Sequence, residues 1–252
     1  EDRLALKSEA VIANHIRDIN LYSLYLLTPE LILGDTIFIH AIVAHLKAGG
    51  AVSDQQTRLV EVQAAMGYIA QRNLHGNLLF MGDFNMNSSY EQAYGLLTYH
   101  PNEAIRFFDP IDKPGVWYNN PDMAPYHTQS PRTGSHPCFV TGGLDDRYDQ
   151  ILVSQNILSG MAGLQYLEGS YRAIGQDGNR FNRSLIDPPN ESEPPEVIDA
   201  LYNMSDHLPV IMQMVRRPFS LNTGIAPWTP VYGLQVLDAR QGNIRFSVDF
   251  PP

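Results

Sequence analysis

Apolar and polar positions along the chain alternate in a way that predicts strands, with helical spacing in two places. Residues 22–27 and 36–46 are rich in aliphatic, aromatic and β-branched side chains, and the longer run suits the centre of a sheet. Residues 55–71 place apolar side chains at helical spacing behind a predicted N-cap at Ser53-Asp54, so we expect this helix to pack on the sheet. Residues 90–97 predict a further helix.

The most informative run is Leu-Leu-Phe-Met-Gly-Asp-Phe-Asn at residues 78–85. Apolar residues followed by Gly predict a buried strand that ends in a sharp turn, with Asp83 and Asn85 just past its carboxyl end. There a carboxylate can hold a hard cation or a water, and a carboxamide can donate to an oxyanion. The alternative is an Asx turn that only closes the strand.

Two later stretches place similar polar groups beside strands. Residues 148–154 form an apolar run that carries Asp149, and residues 205–210 place Asp206 and His207 side by side before a further strand. Three such clusters in one chain favour a shared site over three unrelated turns.

The chain resembles the endonuclease/exonuclease/phosphatase superfamily, and bacterial members of it in particular. The resemblance rests on three motifs in this order: Gly-Asp-Phe-Asn, Asp-x-Ile-Leu and Ser-Asp-His-x-Pro-Val. The resemblance spans residues 4–214. It implies a deoxyribonuclease I-like fold, which is a four-layered α/β sandwich with two packed mixed β-sheets flanked by helices. It also implies hydrolysis of a phosphate ester by an activated water.

In that family, the matching positions imply six catalytic residues, which here are His207, Asp149, Asp83, Asn85, His45 and Asp18. His207 would accept a proton or bind the phosphate, and Asp149 would orient it. Asp83 would position the water or a cation, and Asn85 would donate to the transition state. His45 would bind a phosphate oxygen, although an isolated His on an apolar strand is commonly a core residue, and Asp18 would be its acidic partner.

A magnesium site is the expected cofactor site, with Mn²⁺ or Ca²⁺ as alternatives. Asp206 and Asp83 are the predicted ligands, because hard cations prefer oxygen donors. Relatives carry a further metal-binding Glu in a Leu-Gln-Glu-like segment, together with an Asn on the first strand, and neither precedes Leu4. We therefore expect an incomplete amino-terminal part of the domain, which leaves a non-catalytic binding module as an alternative.

Residues 101–141 are rich in Pro, Gly, Asn and aromatic residues, which predicts loops at the rim of a cleft. Residues 171–183 form a second polar, Gly-bearing stretch. Arg180, Asn179 and Arg183 in this stretch are predicted to bind the substrate phosphate, and an ordinary polar loop is the alternative.

The formal net charge of −10 argues against broad electrostatic capture of a nucleic acid, although a cation and a local basic patch could offset it. The single cysteine, Cys138, excludes an intrachain disulfide. No apolar run reaches membrane-spanning length. We expect no signal peptide at the start of the given sequence, because Glu1-Asp2-Arg3 is charged and no apolar segment follows it. We expect a monomer and favour an exported protein over a cytoplasmic one.

We predict a domain over residues 1–215 and a tail, or the start of a further module, over residues 216–252. The predicted activity is that of a Mg²⁺-dependent phosphodiesterase, in the first instance a nuclease. A phosphomonoesterase or a sphingomyelinase-like lipid phosphodiesterase is the alternative enzyme. A nuclease predicts a basic rim from Arg132, Arg172, Arg180 and Arg183, whereas a lipid enzyme predicts an exposed apolar loop.

Overall fold

A six-stranded mixed sheet forms the centre of the computed structural model, which describes residues 4–28, 36–217, 234–240 and 243–248. Its strands are β1 (Leu4–Asn14), β2 (Asp18–Leu26), β3 (Phe38–His45), β4 (Asn77–Asp83), β5 (Phe107–Phe108) and β6 (Asp149–Ser154). Their order is β1-β2-β3-β4-β6-β5. Among the neighbouring pairs of these strands, only β3 and β4 run parallel. The helix between them carries the chain back to the end of the sheet at which β3 begins, so that β4 can run in the same direction.

The central strands are apolar on both faces because both faces are covered. On β4, Leu78 and Phe80 enter one core and Leu79 and Met81 enter the other, as the two-residue period of a strand requires. Two helices, α1 (Val52–Gln71) and α2 (Gln92–Thr98), cover the first face.

The second face packs against short ladders in which β7 (Leu164–Tyr166) pairs with β10 (Met214–Arg216), and β8 (Arg172–Ala173) pairs with β9 (Val210–Ile211). Helix α3 (Gln155–Ser159) contributes Ile157 to this second core. Helix α4 (Pro195–Met204) instead packs in a separate small cluster, with Leu144, Leu185 and Leu208. The layered α/β fold predicted from the sequence is confirmed. In the described residues, the second sheet consists of two antiparallel ladders and is less extensive than the mixed sheet that was expected.

Helix α1 begins earlier than its pattern suggested, at Val52. Asp54 is its third residue, and the Asp54 carboxylate accepts the backbone N–H of Ala51 at 3.1 Å. The acidic residue thus satisfies an otherwise unpaired donor from inside the first turn. In the described residues, no helix is long and apolar enough to span a membrane.

The predicted loop region at residues 101–141 contains only β5 and two short helical turns, at Glu103–Ile105 and Pro121–Tyr126. Trp117 is nevertheless fully buried, and its indole N–H donates to the carbonyl of Lys113 at 2.8 Å. His127 is also buried, with Nε2 2.9 Å from the carbonyl oxygen of Trp117. Trp117 therefore joins the core on the first face of the sheet, whereas the neighbouring Tyr118 is exposed.

Beyond the main body, β11 (Leu234–Arg240) and β12 (Asn243–Val248) pair as an antiparallel hairpin. Residues 218–233 lie outside the described part of the chain, so the domain boundary at residue 215 stays a prediction.

Candidate active site

Three strand ends place three functional side chains in one row across the sheet. His45 on β3 is the register partner of Asp83 on β4, and Asp83 is opposite Asp149 on β6. The side chains meet as well, since Nε2 of His45 lies 3.3 Å from Oδ2 of Asp83. The apolar interiors of these strands fix the register, and the register fixes the row.

The turn after β4 holds the next predicted residue. Gly82 has φ of 129°, and Asn85 adopts the left-handed conformation with φ of 52°. The N–H of Asn85 donates to Oδ1 of Asp83 at 2.9 Å, and its side-chain amide donates to the carbonyl of Leu46 at 3.1 Å. The Asx turn considered as an alternative therefore forms, and it orients both side chains of the predicted site.

His207 enters the same row from the other layer, in the turn before β9. Its Nδ1 lies 2.6 Å from Oδ2 of Asp149, and its Nε2 lies 3.9 Å from Oδ2 of Asp83. The N–H of Leu208 donates to the carbonyl of Thr128 at 2.8 Å, which holds this turn against a loop at the rim. The structure thus brings together His45, Asp83, Asn85, Asp149 and His207, as the sequence predicted.

Two adjacent residues of the rim loop complete the polar network. The hydroxyl of Thr128 donates to Oδ2 of Asp149 at 2.6 Å. The side-chain amide of Gln129 lies 2.7 Å from Nε2 of His207 and 3.5 Å from Oδ2 of Asp206. The sequence analysis missed both residues, and no local pattern could have identified them, because their partners are 21 to 78 residues away.

The environments of these groups shift their pKa values apart. Burial, reinforced by the negative charge of Asp149, raises the pKa of Asp83 to about 7. Burial would lower the pKa of His207, but the Asp149, Asp83 and Asp206 carboxylates outweigh it and raise that pKa to about 10. For His45, burial lowers the pKa, and the nearby Arg17 adds to the effect. Near neutral pH the site therefore contains an imidazolium at His207 and a partly ionised carboxyl at Asp83.

The predicted magnesium ligands do not form a compact ligand set. Asp206 Oδ2 accepts the N–H of Val140 at 3.1 Å, and Oδ1 of Asp83 accepts that of Asn85. Among the described residues, no three His, Cys, Asp or Glu side chains are arranged to hold a metal ion. Because Mg²⁺ needs several oxygen donors around it, these residues alone do not make the expected site.

The recognised contacts of the remaining predicted site residues are with groups outside the row of His45, Asp83, Asp149 and His207. Asp18 is exposed at the turn between β1 and β2, where its carboxylate accepts from the amide of Asn14 at 2.5 Å. The carboxylate beside His45 is that of Asp83. Arg180 is buried, and its guanidinium donates to Asp177 and to the carbonyls of Asp187 and Pro189.

The other two predicted phosphate-binding residues are exposed. The Asn179 amide donates within its own loop to the carbonyl of Asp177 at 3.4 Å. The Arg183 side chain is exposed, and its carbonyl accepts the N–H of Leu144 at 3.1 Å. None of the described contacts joins Asn179, Arg180 or Arg183 to His207 or Asp83.

Neither a scan against protein-family models nor a search of curated proteins finds a match for this chain. Solved structures do match. One is named an endonuclease/exonuclease/phosphatase family protein. It comes from Bacteroides thetaiotaomicron and shares 12% sequence identity with this chain. The match covers 86% of this chain and 67% of that one, with a TM-score of 0.45.

TDP2 from D. rerio, solved with a single-strand DNA product, shares 11% identity over 84% of this chain and 68% of its own, with a TM-score of 0.45. A mannosyl-6-phosphatase from Bacteroides thetaiotaomicron shares 12% identity over 84% and 67%, with a TM-score of 0.42. At such identities and TM-scores we take neither a site nor an activity from these likenesses.

Proposed function

We propose that this chain is a phosphoesterase whose reaction centre is the row formed by His45, Asp83, Asp149 and His207. The observation that carries the proposal is the placement of His207, 2.6 Å from Asp149 and 3.9 Å from Asp83. A cationic imidazole beside a carboxyl group of near-neutral pKa combines a ligand for a phosphoryl oxygen with a base for water.

The two carboxylates take different parts in this proposal. Asp83 accepts the proton of the attacking water, because its pKa of about 7 makes it both available and basic at neutral pH. Asp149 keeps the His207 ring oriented and cationic, and Thr128 fixes Asp149 in turn. The phosphoryl oxygens gain negative charge in the transition state, so a positive charge already in place stabilises it.

Asn85 and Gln129 supply further hydrogen bonds. One N–H of the Asn85 amide is used by the carbonyl of Leu46, which leaves the second for a phosphoryl oxygen. The carboxamide of Gln129 lies against Nε2 of His207. Because the cationic ring carries a hydrogen on Nε2, the carboxamide can bond to it only through its oxygen, and a bound phosphate has to displace that oxygen. The proposal assigns no step to Mg²⁺, because Asp83 and Asp206 alone do not form the expected ligand set.

Between the predicted nuclease and its alternatives, the rim favours a compact phosphate ester. Of the four arginines expected to form a basic rim, Arg132 and Arg180 are buried and Arg172 is paired with Glu193, whereas Arg183 is exposed. The Arg132 guanidinium lies between the rings of Phe139 and Tyr202, 4.5 and 4.4 Å from their centroids. Binding of a nucleic acid strand depends on basic side chains that contact its phosphates along a groove. We therefore favour a compact phosphate ester over a nucleic acid as the substrate.

Hydrolysis of p-nitrophenyl phosphate, bis(p-nitrophenyl) phosphate and plasmid DNA, each with and without Mg²⁺, tests the proposal. We expect His207→Ala to lower kcat/KM by about 100-fold or more, since it removes the cation and the ligand together. His75→Ala is the matched control, because His75 is exposed beyond the opposite end of β4. Equal turnover by the wild type and His207→Ala would refute the mechanism.

The pH profile separates the roles of the two groups. If Asp83 is the base, kcat/KM rises as the pH passes upward through the Asp83 pKa near 7, and Asp83→Asn removes both the rise and most of the rate. A rate that falls over this interval in the wild type would contradict the assignment.

A further inference from the structure

Arg17 lies in the turn between β1 and β2, beside the proposed reaction centre. The register pairs Asn20 of β2 with Val43 of β3, so the residues before Asn20 run past the carboxyl end of β3. There the Arg17 guanidinium donates through Nη1 to the carbonyl of Leu46 at 3.3 Å. The turn thus places a permanent positive charge at the edge of the site.

The same carbonyl connects Arg17 to the predicted transition-state donor. Leu46 accepts from Nδ2 of Asn85 at 3.1 Å, and its N–H donates to the carbonyl of Asp83 at 2.9 Å. Arg17 and Asn85 are therefore neighbours around one oxygen atom, and each has further N–H groups that this oxygen does not use. The lowered pKa of His45, caused first by burial and then by Arg17, is consistent with this proximity.

Arg17 differs from three buried arginines of this chain in what it contacts. Arg58, Arg147 and Arg180 are buried, and each forms an ion pair with a carboxylate. Arg17 is exposed, and within the described part of the chain no carboxylate lies at ion-pair distance from it. A guanidinium has five N–H donors, and among the described residues only one of those of Arg17 has a hydrogen-bond partner.

We propose that Arg17 binds the phosphoryl group of the substrate, opposite His207 and next to Asn85. This assignment rests on the proposed function, because it assumes that the row of four residues receives a phosphate ester. The planar guanidinium presents paired donors that match two phosphoryl oxygens. Arg17 then determines affinity for the phosphate, a role that the sequence analysis had given to the loop at residues 171–183.

Affinity for inorganic phosphate, measured by calorimetry and as a product-inhibition constant, tests Arg17 directly. We expect Arg17→Ala to weaken phosphate binding and to raise KM for bis(p-nitrophenyl) phosphate by about 10- to 100-fold, as for loss of a charge-assisted hydrogen bond. Arg17→Lys should recover part of this loss, since it keeps the charge but not the fork. Arg72→Ala is the control, because Arg72 is exposed at the far end of α1.

The outcomes separate the inference from the proposed function. If the wild type hydrolyses the ester and Arg17→Ala, with an unchanged melting temperature, keeps both the phosphate affinity and the KM of the wild type, the role of Arg17 is refuted and the proposed function stands. If the wild type neither binds phosphate nor hydrolyses any of the esters, the proposed function fails and the role of Arg17 fails with it.

Discussion

Gly82 is the position at which a single methyl group should disturb the fold and the site together. It precedes Asp83 on β4 and lies in register with Ala44 on β3. A Cβ placed on Gly82 would be 2.0 Å from the carbonyl oxygen of Ala44 and 3.1 Å from its carbonyl carbon. Both atoms belong to the backbone of a central strand, so no side-chain rotation can relieve the overlap.

Two costs add for Gly82→Ala. The φ of 129° is a conformation that L side chains rarely adopt, which costs about 1–3 kcal/mol. Separating two buried strands to admit the methyl group costs about 1–3 kcal/mol more, as overpacking does. The free energy of unfolding should therefore fall by about 2–6 kcal/mol, and the melting temperature by about 5–20 °C for a domain of this size.

Gly67→Ala is the matched control, because Gly67 lies within α1 and an added Cβ there meets no heavy atom within 4 Å. Alanine suits a helix better than glycine, so this variant should gain about 0.5–1 kcal/mol. Thermal and urea unfolding followed by circular dichroism measure both changes. A Gly82→Ala protein that melts with the wild type and keeps its phosphatase or phosphodiesterase rate would show that this close approach of β3 and β4 is not required.

Two further predictions concern stability. Arg58 is fully buried and bonds to both carboxylate oxygens of Glu91 at 2.8 and 3.0 Å, so Arg58→Met should cost about 3–5 kcal/mol in urea unfolding. Arg172 is exposed and pairs with Glu193, so Arg172→Met should cost at most about 1 kcal/mol. Equal costs would refute the distinction. Burial, with Lys7, lowers the pKa of His40 to about 4, so its stabilising contribution is complete above pH 6.5 and is lost as the pH falls toward 4. His40→Gln should flatten the urea midpoint over that interval, and an unchanged slope would contradict the assignment.

Local patterns predicted the parts of the fold that depend on local physics. The run Leu78 to Met81 was identified as a buried strand because its side chains enter cores on both faces. The helix at residues 55–71 was identified by its spacing, and its start was misplaced by three residues because Asp54 acts from within the first turn. Motifs at strand ends, read with the family resemblance, identified His45, Asp83, Asn85, Asp149 and His207. The register of the sheet aligns His45, Asp83 and Asp149, and His207 joins them from the second layer.

Long-range contacts decided the rest. Arg180 looked available for a phosphate because it lies in a Gly-bearing loop, yet that loop folds back so that Asp177 and two carbonyls use its guanidinium. Thr128 and Gln129 looked unremarkable in a loop of mixed composition. Their importance arises only because β6 and the turn before β9 present Asp149 and His207 to them. A local sequence pattern does not predict such contacts between residues that are far apart along the chain.

The two interpretations of Asp83, structural turn and catalytic carboxylate, turn out to be compatible because its two oxygens face different partners. Oδ1 accepts the N–H of Asn85 and shapes the turn, whereas Oδ2 faces His45 and His207. Placing Asp83 directly opposite Asp149 brings two carboxylates together in a poorly solvated place, which by itself opposes folding. An imidazolium between them offsets that repulsion, and His207 supplies it from the second layer. The charge balance that the proposed reaction needs is thus also what allows the two layers to close over these carboxylates.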